Sequence, residues 1–271
     1  MTDLVERLVP DELWTLFRRV VPPTQVIRPQ GGGKRRAGDR ECLAAIVFVA
    51  TSGCTWRQLP PVFGPAWPTV YRRFAQWSRD RVWARLHRVI LDELGARGEL
   101  DWSRCAIDSV SVRAAKEGPL TGPNPTDRGK LGSKIHLITD RNGVPLSLGI
   151  SGANMRDSLG LKPLVRGIPP IRSRRRPRRG RPTKLHADAD KGYDYDHLRK
   201  WLRERRIRHR IARTGIASSA RLGRYRWVVE RTVPWLAGCR RLHRRYERKA
   251  VHFLAFVAIA AALIGYRRLS R

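Results

Sequence analysis

The chain is short of acid. Its 271 residues hold 23 Asp and Glu against 56 Lys and Arg, a formal net charge of +33. That excess is far beyond what solubility needs, and the self-repulsion calls for an anionic partner. Nucleic acid is the first choice, because each phosphate contact releases counterions. An anionic membrane is the plainer rival. Cysteine is scarce too. Cys42, Cys54, Cys105 and Cys239 form no CxxC pair, which argues against a zinc knuckle and for reduced, mostly buried thiols. The seven histidines show no HxH or HExxH spacing. Any metal must then be held by oxygen, as Mg²⁺ or Mn²⁺ is. No apolar run at the N-terminus reads as a secretion signal. The run Val251–Tyr266 is short for a membrane span and reads as a buried helix.

The first hundred residues are patterned for helices. Pro10-Asp11-Glu12 starts an amphipathic one that Pro22-Pro23 stops. Gly31-Gly32-Gly33-Lys34 has the wrong spacing for a phosphate loop and reads as a basic linker. Asp39 is placed to cap a helix over Cys42–Ala50 that ends at Gly53, and Thr55–Leu59 makes a short helix before Pro60-Pro61. A third helix spans Val70–Trp77. Val70, Phe74 and Trp77 form its inward stripe, and Tyr71, Arg72, Arg73 and Arg79 point elsewhere. Thr69, Tyr71, Arg72 and Arg73 in its first turns fit a helix-turn-helix DNA reader, with a plain helical bundle as the equal alternative. Val82–Leu94 is a further helix, and Gly95–Gly98 marks a boundary. Residues 1–98 are thus expected to be a helical DNA-binding domain and residues 99–271 a second domain.

That second domain switches to strand patterns. Arg104–Val112 is a strand with Asp108 alone on an otherwise apolar face, an anomaly for a buried strand. Lys134–Thr139 and Val144–Ile150 form a hairpin across Asp140-Arg-Asn-Gly143, with Asp140 as a turn residue. The polar stretch between, Ala114–Gly132, carries Lys116, Arg128 and Lys130 and is a candidate DNA-contacting loop. Asp157–Val165 reads as a helix, and Arg172–Lys184 as an exposed basic loop broken by Pro and Gly. Leu185–Asp194 opens as a strand with Asp188 and Asp190 on one face. A helix at Asp196–Arg206, a strand at Arg208–Ala212 and a long arginine-rich helix at Arg221–Arg245 follow. Glu230 stands as one acid among those arginines. Strand order then permits a mixed sheet with the first and fourth strands adjacent at its centre, flanked by helices. Such a sheet would gather Asp108, Asp190 and Glu230. Three acids so close cannot all stay ionised without cations, and two Mg²⁺ ions would suit them.

Three segments carry a resemblance. They are SGCTWRQLP…FGPAWPTVYRRFAQW (Ser52–Trp77), AIDSVSVRA (Ala106–Ala114), and ADKGYD (Ala189–Asp194) followed by RWVVERTVPWLAGCRRL…RYER (Arg226–Arg248). Together they resemble the DDE transposases of the insertion-sequence five family, within the insertion-sequence four superfamily, over nearly the whole chain. The resemblance implies an α/β RNase H-like catalytic domain with Asp108, Asp190 and Glu230 as catalytic metal ligands. It selects Asp190 over Asp188 and implies Mg²⁺ or Mn²⁺, as two ions. The superfamily's Tyr-Arg-Glu-Lys signature is only half present. Arg226 and Glu230 fit it, while Gly223 and Ala237 occupy the Tyr and Lys slots. Arg241 is the candidate to replace the missing Lys at phosphate, and Lys191 lies beside Asp190 as a further DNA contact. The implied partners are double-stranded DNA, as element ends and target, and a second copy of the chain, in a cytoplasmic, nucleoid-associated setting without a membrane. A nuclease that cuts without joining, or an inactive basic DNA-binding relative, are the rivals.

Overall fold

Apolar residues at helical spacing build the first third of the chain. The computed structural model describes residues 2–23, 36–174, 184–187, 191–213, 228 and 231–270. Helices α1 (Thr2–Leu8) and α2 (Asp11–Arg18) precede α3 (Asp39–Ser52), which stops where Gly53 turns left-handed at φ 76°. Gly38, not Asp39, is the N-cap of α3. Asp39 instead binds Arg36 and Arg73 at 3.2 and 3.0 Å. Two single 3₁₀ turns, Trp56–Gln58 and Pro61–Phe63, lead to α4 (Trp67–Arg79) and α5 (Val82–Arg97). The Thr55–Gln58 pair caps the first of these turns reciprocally. The connection between α3 and α4 is therefore longer than the tight turn of a helix-turn-helix.

A six-stranded sheet follows. Strand β1 (Cys105–Arg113) lies at its centre, antiparallel to β3 (Leu131–Thr139) and parallel to β5 (Lys184–Ala187). β4 (Pro145–Gly152) and the two-residue β2 (Gly122–Pro123) pair with the outer edge of β3, and β6 (Arg208–Ile211) pairs with β5. The expected hairpin and the adjacency of the first and fourth patterned strands are both present. Helix α6 (Ser158–Gly167) packs on β3 and β4, and α7 (Asp196–Glu204) on β6.

The long helix expected at Arg221–Arg245 ends early. Helix α8 covers residues 231–237 within the described part, and Gly238 and Cys239 turn the chain into a 3₁₀ turn at Arg240–Leu242. The cause lies at Arg245, whose N–H donates to Arg113 and whose carbonyl accepts from Ala115, extending the sheet beyond β1. A continuous helix would forbid that pairing.

Helix α9 (Ala250–Leu269) is apolar on nearly every side. It is long and apolar enough to cross a membrane, yet 67% of its apolar window is buried inside the protein. It packs on α3, α4, α5 and β4 at once, which explains why polar residues are missing from most of its surface. Phe256 stacks on Phe74 of α4 at 4.7 Å between ring centres. Gly265 lets α5 approach closely, since a Cβ there would meet Ile90 Cγ2 at 2.8 Å. One hydrophobic core thus runs from the helical region into the sheet.

Candidate active site

Asp108 stands in the middle of the central strand. It is half-buried, opposite Leu137 on β3, and its carboxylate accepts the N–H of Ser109 at 2.8 Å. The opposite face of β1 is pinned at the next residue. Ser109 Oγ donates to Asp157 Oδ1 at 2.7 Å, and Lys134 Nζ reaches the same oxygen at 2.9 Å. Lys134 also donates to the Met155 carbonyl. The ion pair is largely buried, with side chains 15% and 14% exposed. Its second hydrogen bond helps offset the cost of desolvation. Asp157, expected only to open a helix, thereby ties α6 and β3 to the residue after Asp108.

Asp190 lies outside the described residues, three positions beyond the end of β5; Asp188 lies outside them too. The turn that follows is described. Lys191–Tyr193 forms a 3₁₀ turn, Tyr193 is buried, and Asp194 pairs with Arg199 of α7. Arg199 also donates to the Ile211 carbonyl of β6. That turn is thus anchored to the sheet's far edge.

Glu230 and Arg226 also lie outside the described residues. Their described neighbours dock on the β3–β4 turn. Val228 is buried, Arg231 Nη2 donates to the Asn142 carbonyl at 2.7 Å, and Thr232 Oγ1 donates to the Gly143 carbonyl at 2.9 Å. Asp140 organises that turn. Its carboxylate accepts the N–H groups of Asn142 and Val144, and that of Asp101 just before β1, at 2.8–3.0 Å. Burial nonetheless prevails over these donors and pushes its pKa up to about 6. The turn reading of Asp140 is correct, with an added role as a tie to the start of β1.

Among the described residues no three His, Cys, Asp or Glu side chains stand close enough to hold a metal ion.

The residues expected to touch DNA divide. Thr69 is half-buried and Arg72 is exposed on α4. Arg73 turns inward: it is 8% exposed, bound to Asp39 and stacked over Trp77. Tyr71 packs edge-on against Trp56 and His252. Neither points away from the core, contrary to expectation. Lys191 opens its 3₁₀ turn, and its side chain lies outside the description. Arg241 is 5% exposed. Its Nε and Nη2 both reach Glu247 Oε1, at 2.9 and 2.7 Å, and Nη1 donates to the Cys54 carbonyl. That guanidinium is committed to joining the helical region to the sheet domain, not to standing in for the missing Lys at phosphate. Lys116, in the loop expected to touch DNA, is exposed, and sequence reasoning does not single out the exposed Arg57 and Arg248. It misses Glu247 as well, although this is the next acid after Glu230.

The strand order β4-β3-β1-β5-β6, with an acid on the central strand, is the RNase H-like architecture. The comparisons agree. Residues 9–87 match the family described as "Putative transposase of IS4/5 family", and residues 102–264 match "Transposase DDE domain". The chain belongs to the DDE transposases of the insertion-sequence four and five families. It is 38% identical over 232 residues to the "Putative transposase for insertion sequence element IS402" of Burkholderia cepacia, covering 86% of this chain and 96% of that relative. A shorter relative from the same organism, "Insertion element IS402 uncharacterized 16.2 kDa protein", is 37% identical over 123 residues, 45% of this chain and 84% of its own. In fold the chain is similar to the piggyBac transposase of a synaptic complex with hairpin DNA, with a TM-score of 0.50 and 10% identity over 97% of this chain and 73% of that one.

Proposed function

We propose that this transposase binds the terminal inverted repeats of its own insertion sequence, cuts phosphodiester bonds there, and joins the freed 3′-hydroxyl to target DNA. The observation that carries the reading is the parallel pairing of β1 with β5, Ala106 opposite His186, inside a chain matched by the DDE family. Both strands run in one direction, with Asp108 two residues past Ala106 on β1 and Asp190 four residues past His186 in the sequence, a relation that supports the two as members of one site. Thr232, two residues after Glu230 in the sequence, docks on the hairpin beside β1, which supports Glu230 as third member.

A DDE transposase uses divalent metal. Here Asp108, Asp190 and Glu230 would hold it, and three carboxylates are the hard oxygen donors that Mg²⁺ or Mn²⁺ prefers. Two such ions, held there, would supply activation of the attacking oxygen and stabilisation of the leaving one. The chain's own share is positioning. Lys134, Asp157 and Ser109 fix β1 on one side of the sheet, and Arg199 fixes the turn after Asp190. Residues 1–98 with exposed Arg72, together with the basic loop of residues 172–184, supply phosphate contacts. These set register and much of the affinity, which falls with salt. Two copies act together because two ends must be joined in one event.

The test is cleavage and strand transfer on short duplexes carrying the element's ends. Asp108→Ala, Asp190→Ala and Glu230→Ala each abolish Mg²⁺-dependent cleavage and leave end binding within about twofold, since one carboxylate contributes little to phosphate affinity. Retained cleavage in all three rejects the assignment. Cleavage without joining favours a plain nuclease, and no metal dependence favours an inactive binder.

A further inference from the structure

Two aromatic side chains are exposed among the described residues, Trp67 at 38% and Tyr246 at 44%. They come from distant parts of the chain, yet both line one cavity of about 700 Å³. The cavity lies between the helical region and the sheet domain. Exposed Arg57, Lys116, Arg248 and Lys249 also line it. Its acid, Glu247, is buried and neutralised by Arg241. Arg245 fixes the segment bearing Lys116, donating to the Pro119 and Leu120 carbonyls at 2.8 and 2.9 Å. The cavity is thus walled by flat apolar rings and a surplus of positive charge on held backbone.

We infer that this cavity is a binding site for one unstacked nucleotide of a DNA strand. Its base would lie against Trp67 and Tyr246, and its flanking phosphates would meet Arg57, Lys116, Arg248 and Lys249. An intact duplex hides its base faces in the stack and offers nothing to exposed rings, whereas a displaced base offers a π-face. Phosphate alone would account for the cations but not for the rings. The volume is within the roughly 300–1,000 Å³ of sites for compact ligands. Asp108 does not line the cavity, and the inference rests on the proposed action on DNA.

The test uses the full chain and four probes: oligothymidine about eight nucleotides long, a blunt duplex of equal length, a duplex with one unpaired thymidine, and thymidine monophosphate. Affinity is read by fluorescence anisotropy, at salt high enough to screen most of the general charge attraction. Thymidine monophosphate is read as a competitor. Trp67→Ala and Tyr246→Ala should each weaken the single strand and the unpaired-base duplex by about five- to a hundredfold. Blunt-duplex binding should change less than twofold, and Trp67→Phe should restore most of the loss. Circular dichroism confirms folding of each variant. Equal loss on all three DNA probes, or loss on none, overturns the site, as does competition by the mononucleotide on a par with the strand. Cleavage by the protein is judged separately through the Asp108 variant, so the pocket can fail while the transposase reading stands.

Discussion

Arg245 Nη1 donates to Ser133 Oγ at 2.7 Å, joining residues 112 positions apart. The guanidinium is wholly buried and has further acceptors in the carbonyls of Pro119, Leu120, Glu247 and Arg248. Five neutral oxygens thus replace its water shell. Burial holds its pKa below the usual arginine range, with Glu247 acting in the other direction. Arg245→Lys keeps the charge but cannot reach this planar array. Destabilisation of ~3 kcal/mol or more is expected, because donors and acceptors are left unpaired in the core. Urea denaturation measures it; a loss under about 1 kcal/mol would show that the array contributes little.

Arg241 and Glu247 give a contrasting case. Glu247→Gln leaves a buried guanidinium without its counter-charge and should cost about 3–5 kcal/mol. The double replacement Arg241→Met with Glu247→Leu should recover much of that, since a well-packed apolar pair avoids desolvation altogether. Comparing the two melting midpoints separates stability from the specificity of docking.

His87 sets a pH dependence. It is fully buried on α5, 2.8 Å from the Pro145 carbonyl through Nε2, and burial lowers its pKa from 6.5 to about 4. A lowered folded value means the stabilisation is complete above 6.5 and is lost as pH falls through about 4. Its full size is ~3 kcal/mol. Asp140 works in reverse. Its folded pKa of about 6 exceeds the ordinary 3.8, so its buried carboxylate costs stability above about pH 6 and that cost fades as pH falls toward 3.8. His87→Gln, which can still donate to Pro145, should therefore reduce the acid-side loss between pH 6.5 and 4. An unchanged slope would assign the loss to other groups.

Gly143 tests how α8 is held. Its φ is 86°, and a Cβ there would meet Thr232 Oγ1 at 2.9 Å and Trp235 Cζ3 at 3.3 Å. Gly143→Ala should cost about 1–2 kcal/mol from backbone strain alone, with more from the clash. Amide exchange over residues 231–237 should rise further than over α5. A uniform change across the protein would show that the turn does not locally hold α8.

Most of the architecture is legible in the pattern of residues. The hairpin follows from Asn142-Gly143 between two apolar runs, and the central strand from Ala106, Asp108, Val110 and Val112. Two side chains of α4, Tyr71 and Arg73, are harder to place. Arg73 follows Val70 by three residues and precedes Trp77 by four, so the spacing that makes an inward stripe already includes it. The half-buried Asp39 then satisfies its charge, and that partner is remote in sequence. The end of α8 is hidden for another reason. Gly238 breaks the helical run, but only the pairing of Arg245 with Ala114 shows where the chain must go. Of the acidic trio, spacing singles out Asp108 as an anomaly. The choice of Asp190 over Asp188 comes from the resemblance.

Helix α9 has a bearing on synthesis. The apolar faces of α4 and α5 are covered by a segment made more than 150 residues after α5 ends at Arg97. Until then Ile90 and Leu94 lack their cover. The earlier helices must wait, guarded or exposed, for α9 to seal them, and any product halted before Ala250 would carry two unsealed halves and no lid.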